Sequence, residues 1–305
     1  MRIVPFSITG ICFLLTACGT DSATKKTEGK LQIVTTTGMI ADAVLNIAGD
    51  KVEITALMGP GVDPHLYKAT QGDVSRLKNA SLVFYNGLHL EGKMGDVLGK
   101  LDKNKVIPVS RHINESKLRK SPQFADSHDP HIWFDVKLWM EAVREISAEL
   151  QKLDTVNAAL YEKNAQAYLL KLDSLDAWTR SEIQSIPQSG RILITAHDAF
   201  GYFGDAYGIE VKGLQGISTL SEFGLNDVTG LVNLIAARKV KAVFVESSVP
   251  KKSIEAVVEG CKNQGHEVKI GGTLFSDAMG PAGTQEGTYI GMVKANVNTI
   301  VRALK

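Results

Sequence analysis

Cysteine is scarce in this chain, which holds only Cys12, Cys18 and Cys261 among its 305 residues. The first two belong to an N-terminal apolar run, so Cys261 stands alone in the body of the protein and no internal disulfide is expected there. Charge of one sign is lacking too. The formal net charge is +1, and without a long run of like charges nothing points to nucleic acid or to an acidic partner. There is no short-period repeat. There is also no compact HExxH or CxxC signature, so any metal chemistry must come from residues that folding brings together. The first eighteen residues are interrupted by Pro5, Ser7, Thr9 and Gly10 and are too short for a comfortable membrane span. What remains is globular: 44% hydrophobic and 22% charged, with length enough for two ordinary domains.

The N-terminus reads "MRIVPFSITGICFLLTAC", a basic start followed by an apolar run that ends in small residues. This is the pattern of an export signal. Its end, Leu15-Thr16-Ala17-Cys18, resembles a bacterial lipobox, so residues 1–17 are expected to leave as a lipoprotein signal peptide and Cys18 to be lipidated. Several acyl chains on Cys18 make a stable anchor where one does not. Loss of Arg2 leaves a formally neutral mature chain. Residues 18–30, with "GTDSATKKTEGK" after the cysteine, are small, polar and charged and read as a lipidated flexible tether.

Beyond the tether, "LQIVTTT" predicts a strand and "MIADAVLNIAG" a helix that stops at Gly49. Val52 to Met58, "ASLVFYN" and "KVIPV" predict further strands separated by helical stretches. That alternation argues for a βα lobe with a largely parallel sheet over residues 31–156. Periodicity predicts a helix from Val136 to Leu153 and another over 157–186, where Tyr161, Tyr168, Leu172, Leu175 and Ile186 share one face. We read the second as one long helix linking two lobes. A second alternating lobe, 187–305, follows with strands in "RILITAH", "EVKGLQ", "KAVFVESS" and "VKIGGTLFSD" and a closing helix marked by Ile290, Val293, Val297, Ile300 and Leu304. Cys261 falls on a predicted helix and reads as a buried structural thiol.

The tripeptide Asp-Pro-His occurs twice, as Asp63-Pro64-His65 and Asp129-Pro130-His131. Proline stiffens the loop and holds the preceding residue extended, so each imidazole is presented from a firm base. His65 and His197 each follow a predicted strand, as does Asp277, and loops at carboxyl ends of strands line ligand crevices in open α/β sheets. His131 lies in an irregular loop before a helix. Three imidazoles and a carboxylate suit a four-donor metal site. Of the seven histidines, His89 and His128 read as non-ligands, with His89 near the surface. Glu246 ends its strand where it faces the crevice and is a candidate partner for a ligand's other ring nitrogen; a helix contact or a solvated carboxylate are the competing roles. Asp198 suits either such a partner or a helix N-cap.

The segments "LMGPGVDPHLYKATQGDV", "LVFYNGLHLEGKM", "DPHIWFDV", "TAHDAFGYF", "GISTLSEFG", "VFVESSVP" and "TLFSDAMG", in order from Leu31 to Lys305, resemble the cluster A-I solute-binding proteins of bacterial ABC importers, of the TroA type that binds zinc or manganese. The resemblance implies an α/β fold of two (βα) lobes with mostly parallel sheets, joined by one long rigid backbone helix, with the metal in the interlobe cleft. Matched by motif, it makes His65, His131, His197 and Asp277 the ligands. It implies a tethered, extracytoplasmic monomer that hands its ion to a membrane permease, with modest lobe movement. Dedicated zinc receptors often carry a His-rich acidic loop before the second ligand, but "SRHINESKLRKSPQFADSH" holds only His112 and His128 and is rather basic. Dedicated manganese receptors commonly have glutamate where this chain has His197. A nitrogen there favours zinc, with manganese the alternative.

Two other functions compete. A zinc hydrolase needs an open coordination position, which a fourth ligand at Asp277 removes, so no enzymatic activity is expected. A surface adhesin with metal in a structural role has no motif behind it.

Overall fold

The computed structural model describes residues 29–121 and 127–305. The expected signal segment, Cys18 and most of the tether lie outside them. No helix among the described residues is long and apolar enough to cross a membrane.

The N-terminal lobe runs β1 (Leu31–Thr35), α1 (Gly38–Ala48), β2 (Val52–Ala56), α2 (Gln71–Asn79), β3 (Leu82–Tyr85), α3 (Gly95–Leu98) and β4 (Val106–Pro108). The strands form one parallel sheet in the order β2-β1-β3-β4. Parallel neighbours require crossovers, and the short helices between them supply these. On α1, Met39, Ile40, Ala43, Val44 and Ile47 recur every three or four residues and all are buried. α2 starts at a capping box in which Thr70 and Asp73 each bond the other's backbone N–H.

Two helices follow: α4 (Val136–Leu153), capped by the Asp135 carboxylate, and α5 (Ala158–Gln184). α5 is unbroken over 27 residues, about 40 Å at ~1.5 Å per residue. The face carrying Tyr161, Tyr168, Leu172 and Leu175 is buried. It packs on α1 and α4 of the first lobe and on two helices of the second.

The C-terminal lobe comprises β5 (Ile192–His197), α6 (Gly201–Tyr207), β6 (Glu210–Gln215), α7 (Leu225–Arg238), β7 (Ala242–Glu246), α8 (Lys252–Asn263), β8 (Lys269–Leu274) and α9 (Tyr289–Leu304). β5 pairs parallel with β6 and β7 parallel with β8, and β5 lies against β7. Cys261 is buried on α8. α6 starts only at Gly201 and has no side-chain cap, so Asp198 is not its N-cap. The reason is in the backbone: the Asp198 N–H still donates to Gln215 O at 3.1 Å, which continues the β5–β6 ladder past His197.

Each lobe has its own small core, but the largest apolar cluster joins them. It runs from Ile33 and Phe84 through Trp133, Trp139 and Leu172 to Phe200, Leu274 and Met292. A continuous close-packed core across the junction resists wide hinge opening.

Candidate metal centre

Each candidate donor sits at or beyond the carboxyl end of a strand or at a stiff loop. His197 is the last residue of β5 and Glu246 the last of β7. Asp277 lies just past β8, and His65 is in the loop between β2 and α2. His131 opens a short 3₁₀ turn, Ile132–Phe134, that leads into α4. The loops are tied to one another: the Trp133 indole donates to Ser276 O at 3.0 Å, and the Tyr289 hydroxyl donates to Trp133 O at 2.7 Å.

The structure brings His65, His131, His197 and Asp277 together, with one donor atom from each within 4.8 Å of all the others. Their side chains are at most 2% exposed. His65 Nε2 and His131 Nε2 are 3.4 Å apart. Asp277 Oδ2 is 3.3 Å from His197 Nε2 and 3.7 Å from His65 Nε2, and Oδ1 is 3.4 Å from His131 Nε2. Four donors at about 2.0–2.1 Å from a tetrahedral ion sit about 3.3–3.4 Å from one another; three of these spacings match such an edge, and the His65–Asp277 spacing is longer. Both Asp277 oxygens and His197 Nε2 are buried without a hydrogen-bond partner. Unpaired buried polar atoms are costly, and a cation between them removes that cost. A groove of about 550 Å³ beside α1 and β2 reaches Asp277 but none of the histidines.

Carboxylates stand behind two of the rings. Glu246 Oε1 accepts the His197 N–H at 2.8 Å, and Oε2 lies 2.5 Å from His197 Nδ1, off the direction of a hydrogen bond. Asp129 Oδ1 accepts the His131 N–H at 3.0 Å and pairs with its Nδ1 at 2.7 Å. At the other Asp-Pro-His, Asp63 Oδ1 accepts the His65 N–H at 2.8 Å but does not reach the ring.

These surroundings divide the histidines. Burial pushes His65 down to about 3, with the neighbouring Asp277 opposing only in part, so it is neutral. Burial also disfavours charge on His131, yet Asp129 and Asp277 outweigh it and push it up to about 9. His197 behaves alike: burial opposes, and Glu246 and Asp277 raise it well above the ordinary range. Burial works against the Asp277 carboxylate, and His197 and His131 overcome it and hold the group well below its usual value. The flanking carboxylates thus favour the protonated forms of His131 and His197, while burial favours neutral His65.

Sequence reasoning missed Asp129, although it stands in the quoted motif; a short Asp-Pro-His spacing was the available signal. It also passed over Glu91 and Asn86. Buried Glu91 accepts from the Thr36 hydroxyl and the Asn86 N–H, both at 2.7 Å, and the Asn86 amide donates to Pro130 O at 2.9 Å. That network fixes the loop bearing His131. His89 is exposed, in a left-handed conformation with φ 66°. His128 and His112 lie away from the cluster, His112 against Glu145.

A family model described as zinc-uptake complex component A, periplasmic (ZnuA), matches residues 33–303. The manganese-binding lipoprotein MntA of Bacillus subtilis (strain 168) is 55% identical over 294 residues, 96% of this chain and 96% of that protein. The zinc-binding protein TroA of Treponema pallidum (strain Nichols) is 55% identical over 278 residues, 91% of this chain and 90% of that one. Its solved structure, at 54% identity, superposes with a TM-score of 0.88 over 90% of this chain and 99% of its own. The metal ABC transporter substrate-binding lipoprotein FimA of Streptococcus parasanguinis is 31% identical over 301 residues, covering 96% and 95%. With that span and identity, the chain belongs to the ZnuA family of metal-binding solute-binding proteins, which are binding proteins and not enzymes.

Proposed function

We propose that this chain is an extracytoplasmic lipoprotein that carries one divalent transition-metal ion between its lobes and delivers it to an ABC permease. His65, His131 and His197, each through Nε2, and the Asp277 carboxylate would hold the ion, with Glu246 orienting His197. The observation that carries this reading is a fully buried set of three imidazoles and a carboxylate whose donor atoms lie within 4.8 Å of one another. Relatives named as lipoproteins and as ABC transporter components support the anchor at Cys18, the permease partner and the extracytoplasmic location. The proposed organisation is a signal at 1–17, a tether at 18–30, lobes at 31–156 and 187–305, and the backbone helix at 157–186, working as a monomer.

Zinc is the favoured ion, because three nitrogen donors suit it better than manganese. Relatives named for manganese and for zinc are equally identical to this chain at 55%, so their names do not choose. The test is to strip the purified chain of metal and offer zinc and manganese together under free-ion buffering. About one ion bound per chain supports the function, and zinc bound in preference fits zinc as the tighter binder, although zinc outcompetes manganese at most sites whichever ion the cell needs. Manganese bound in preference would overturn the choice of zinc, and no stoichiometric metal would overturn the function.

A further inference from the structure

Each Asp-Pro-His aspartate uses one oxygen on its own histidine and turns the other toward the opposite lobe. Asp63 Oδ2 accepts the Thr219 hydroxyl at 2.7 Å, across 156 residues of sequence. Thr219 belongs to the loop after β6, which is itself fastened: the Gln215 amide donates to Thr219 O at 2.8 Å and to Ser221 O at 2.6 Å. Asp129 Oδ2 is buried without a hydrogen bond and faces Arg119 Nε at 3.5 Å. The Arg119 guanidinium also pairs with Asp205 on α6. Tyr202, on the same helix, accepts the Arg119 N–H at 3.0 Å and donates to Asp129 O at 2.9 Å. The approach is close because position 201 is glycine: a Cβ there would lie 2.6 Å from Arg119 Nε and 2.9 Å from Asp129 Oδ2.

We infer that Asp63 and Asp129 clamp the two N-terminal-lobe histidines to the C-terminal lobe, through Thr219 and Arg119, so that interlobe contacts set how long the ion is held. This rests on the reading of His65 and His131 as ligands. Thr219 and Arg119 are positioning residues and touch neither the ion nor an imidazole. With the lobes together, Asp63 is held at both oxygens, Asp129 Oδ2 faces the Arg119 guanidinium, and the Nε2 atoms of His65 and His131 lie 3.4 Å apart. Drawing the lobes apart at the rim breaks Thr219–Asp63 and Arg119–Asp205, after which each aspartate is free to turn with its histidine. A closed four-donor site thereby gains a way to open, because a permease that grips both lobes loosens the ligands without competing for the ion.

The test loads the full-length chain with zinc alone and follows its release to excess chelator in the wild type and in Thr219→Val, Thr219→Ser, Arg119→Met and Asp205→Asn. All should bind about one ion, and Thr219→Val and Arg119→Met should release it about 2–10 times faster, short of the ~10–100-fold effect of removing a direct partner of a metal ligand. Asp205→Asn, which contacts no ligand or ligand aspartate, should accelerate release in the same direction. Thr219→Ser keeps the hydroxyl and should restore slow release, which a purely structural role for Thr219 does not predict. Unchanged release in Thr219→Val and Arg119→Met, with one ion still bound, would overturn the clamp alone. Release as fast in Thr219→Ser as in Thr219→Val would overturn it too. A wild type that holds no stoichiometric zinc would bring down the ligand reading, and the clamp with it.

Discussion

In the loop at residues 63–65, the aspartate touches its own histidine at the backbone and not at the ring. In the loop at 129–131, the same tripeptide folds so that Asp129 takes both the backbone N–H and the ring Nδ1 of His131. One motif thus yields two different imidazoles. His65, desolvated and unsupported, is held neutral near 3 and offers its lone pair at once. His131, although just as buried, is backed by Asp129 and rises to about 9, so it must give up a proton before it can take an ion. The contrast shows that the tripeptide specifies presentation of the histidine, while the carboxylate's second contact specifies its protonation. The contrast predicts that metal binding at His131, and not at His65, is coupled to proton release.

The largest effect expected is shared by the two loops. His65→Ala or His131→Ala removes one of four donors, and zinc affinity should fall steeply in equilibrium dialysis, with the remaining three donors filled only at saturating zinc. Asymmetry appears one step back. Asp129→Asn should weaken binding ~10–100-fold, whereas Asp63→Asn, which leaves the His65 ring without any change of partner, should cost less. Equal losses in a competition titration would break the comparison. Glu246 takes the His197 backbone N–H and sets its second oxygen beside the ring Nδ1, so Glu246→Gln should resemble Asp129→Asn more than Asp63→Asn; full retained affinity would remove its proposed role.

Protonation sharpens the contrast further. The folded pKa of His131 is raised from 6.5 to about 9. Its contribution to metal-free stability is therefore fully present below about 6.5 and fades as pH rises through about 9. Metal-free thermal unfolding should show that decline, and Asp129→Asn should flatten it. His65, with its folded pKa lowered, contributes in the opposite sense: the neutral ring is favoured, and protonation costs stability as pH falls below its unfolded range. Metal affinity should rise with pH, with protons released on binding in calorimetry across buffers of different ionisation enthalpy. The smallest effect is expected at His112, where an exposed ring meets Glu145. His112→Ala should leave metal binding unchanged and shift stability by no more than about 1 kcal/mol.

The fold was legible because its signals are local. β-branched runs alternate with helical periods, and the buried face of α5 follows the spacing of Tyr161, Tyr168, Leu172 and Leu175. The four clustered residues were legible because strand ends converge in such folds and because whole motifs were intact. Glu246 was legible for the first reason alone. Asp63, Asp129, Thr219 and Arg119 were not, because their partnerships span long separations and depend on which carboxylate oxygen faces which lobe. Asp198 misled for a related reason. An aspartate ahead of a helical segment is a general cap signal, but here a ladder bond to Gln215 O keeps its backbone in the sheet.

X-ray absorption at the metal edge tests the central claim most directly, on the zinc-loaded chain beside its His131→Ala variant. The account predicts three imidazole donors and one carboxylate oxygen at about 2.0–2.2 Å, with one imidazole fewer in the variant. A wild-type shell built mainly of water, or one whose imidazole count does not fall in the variant, would contradict it.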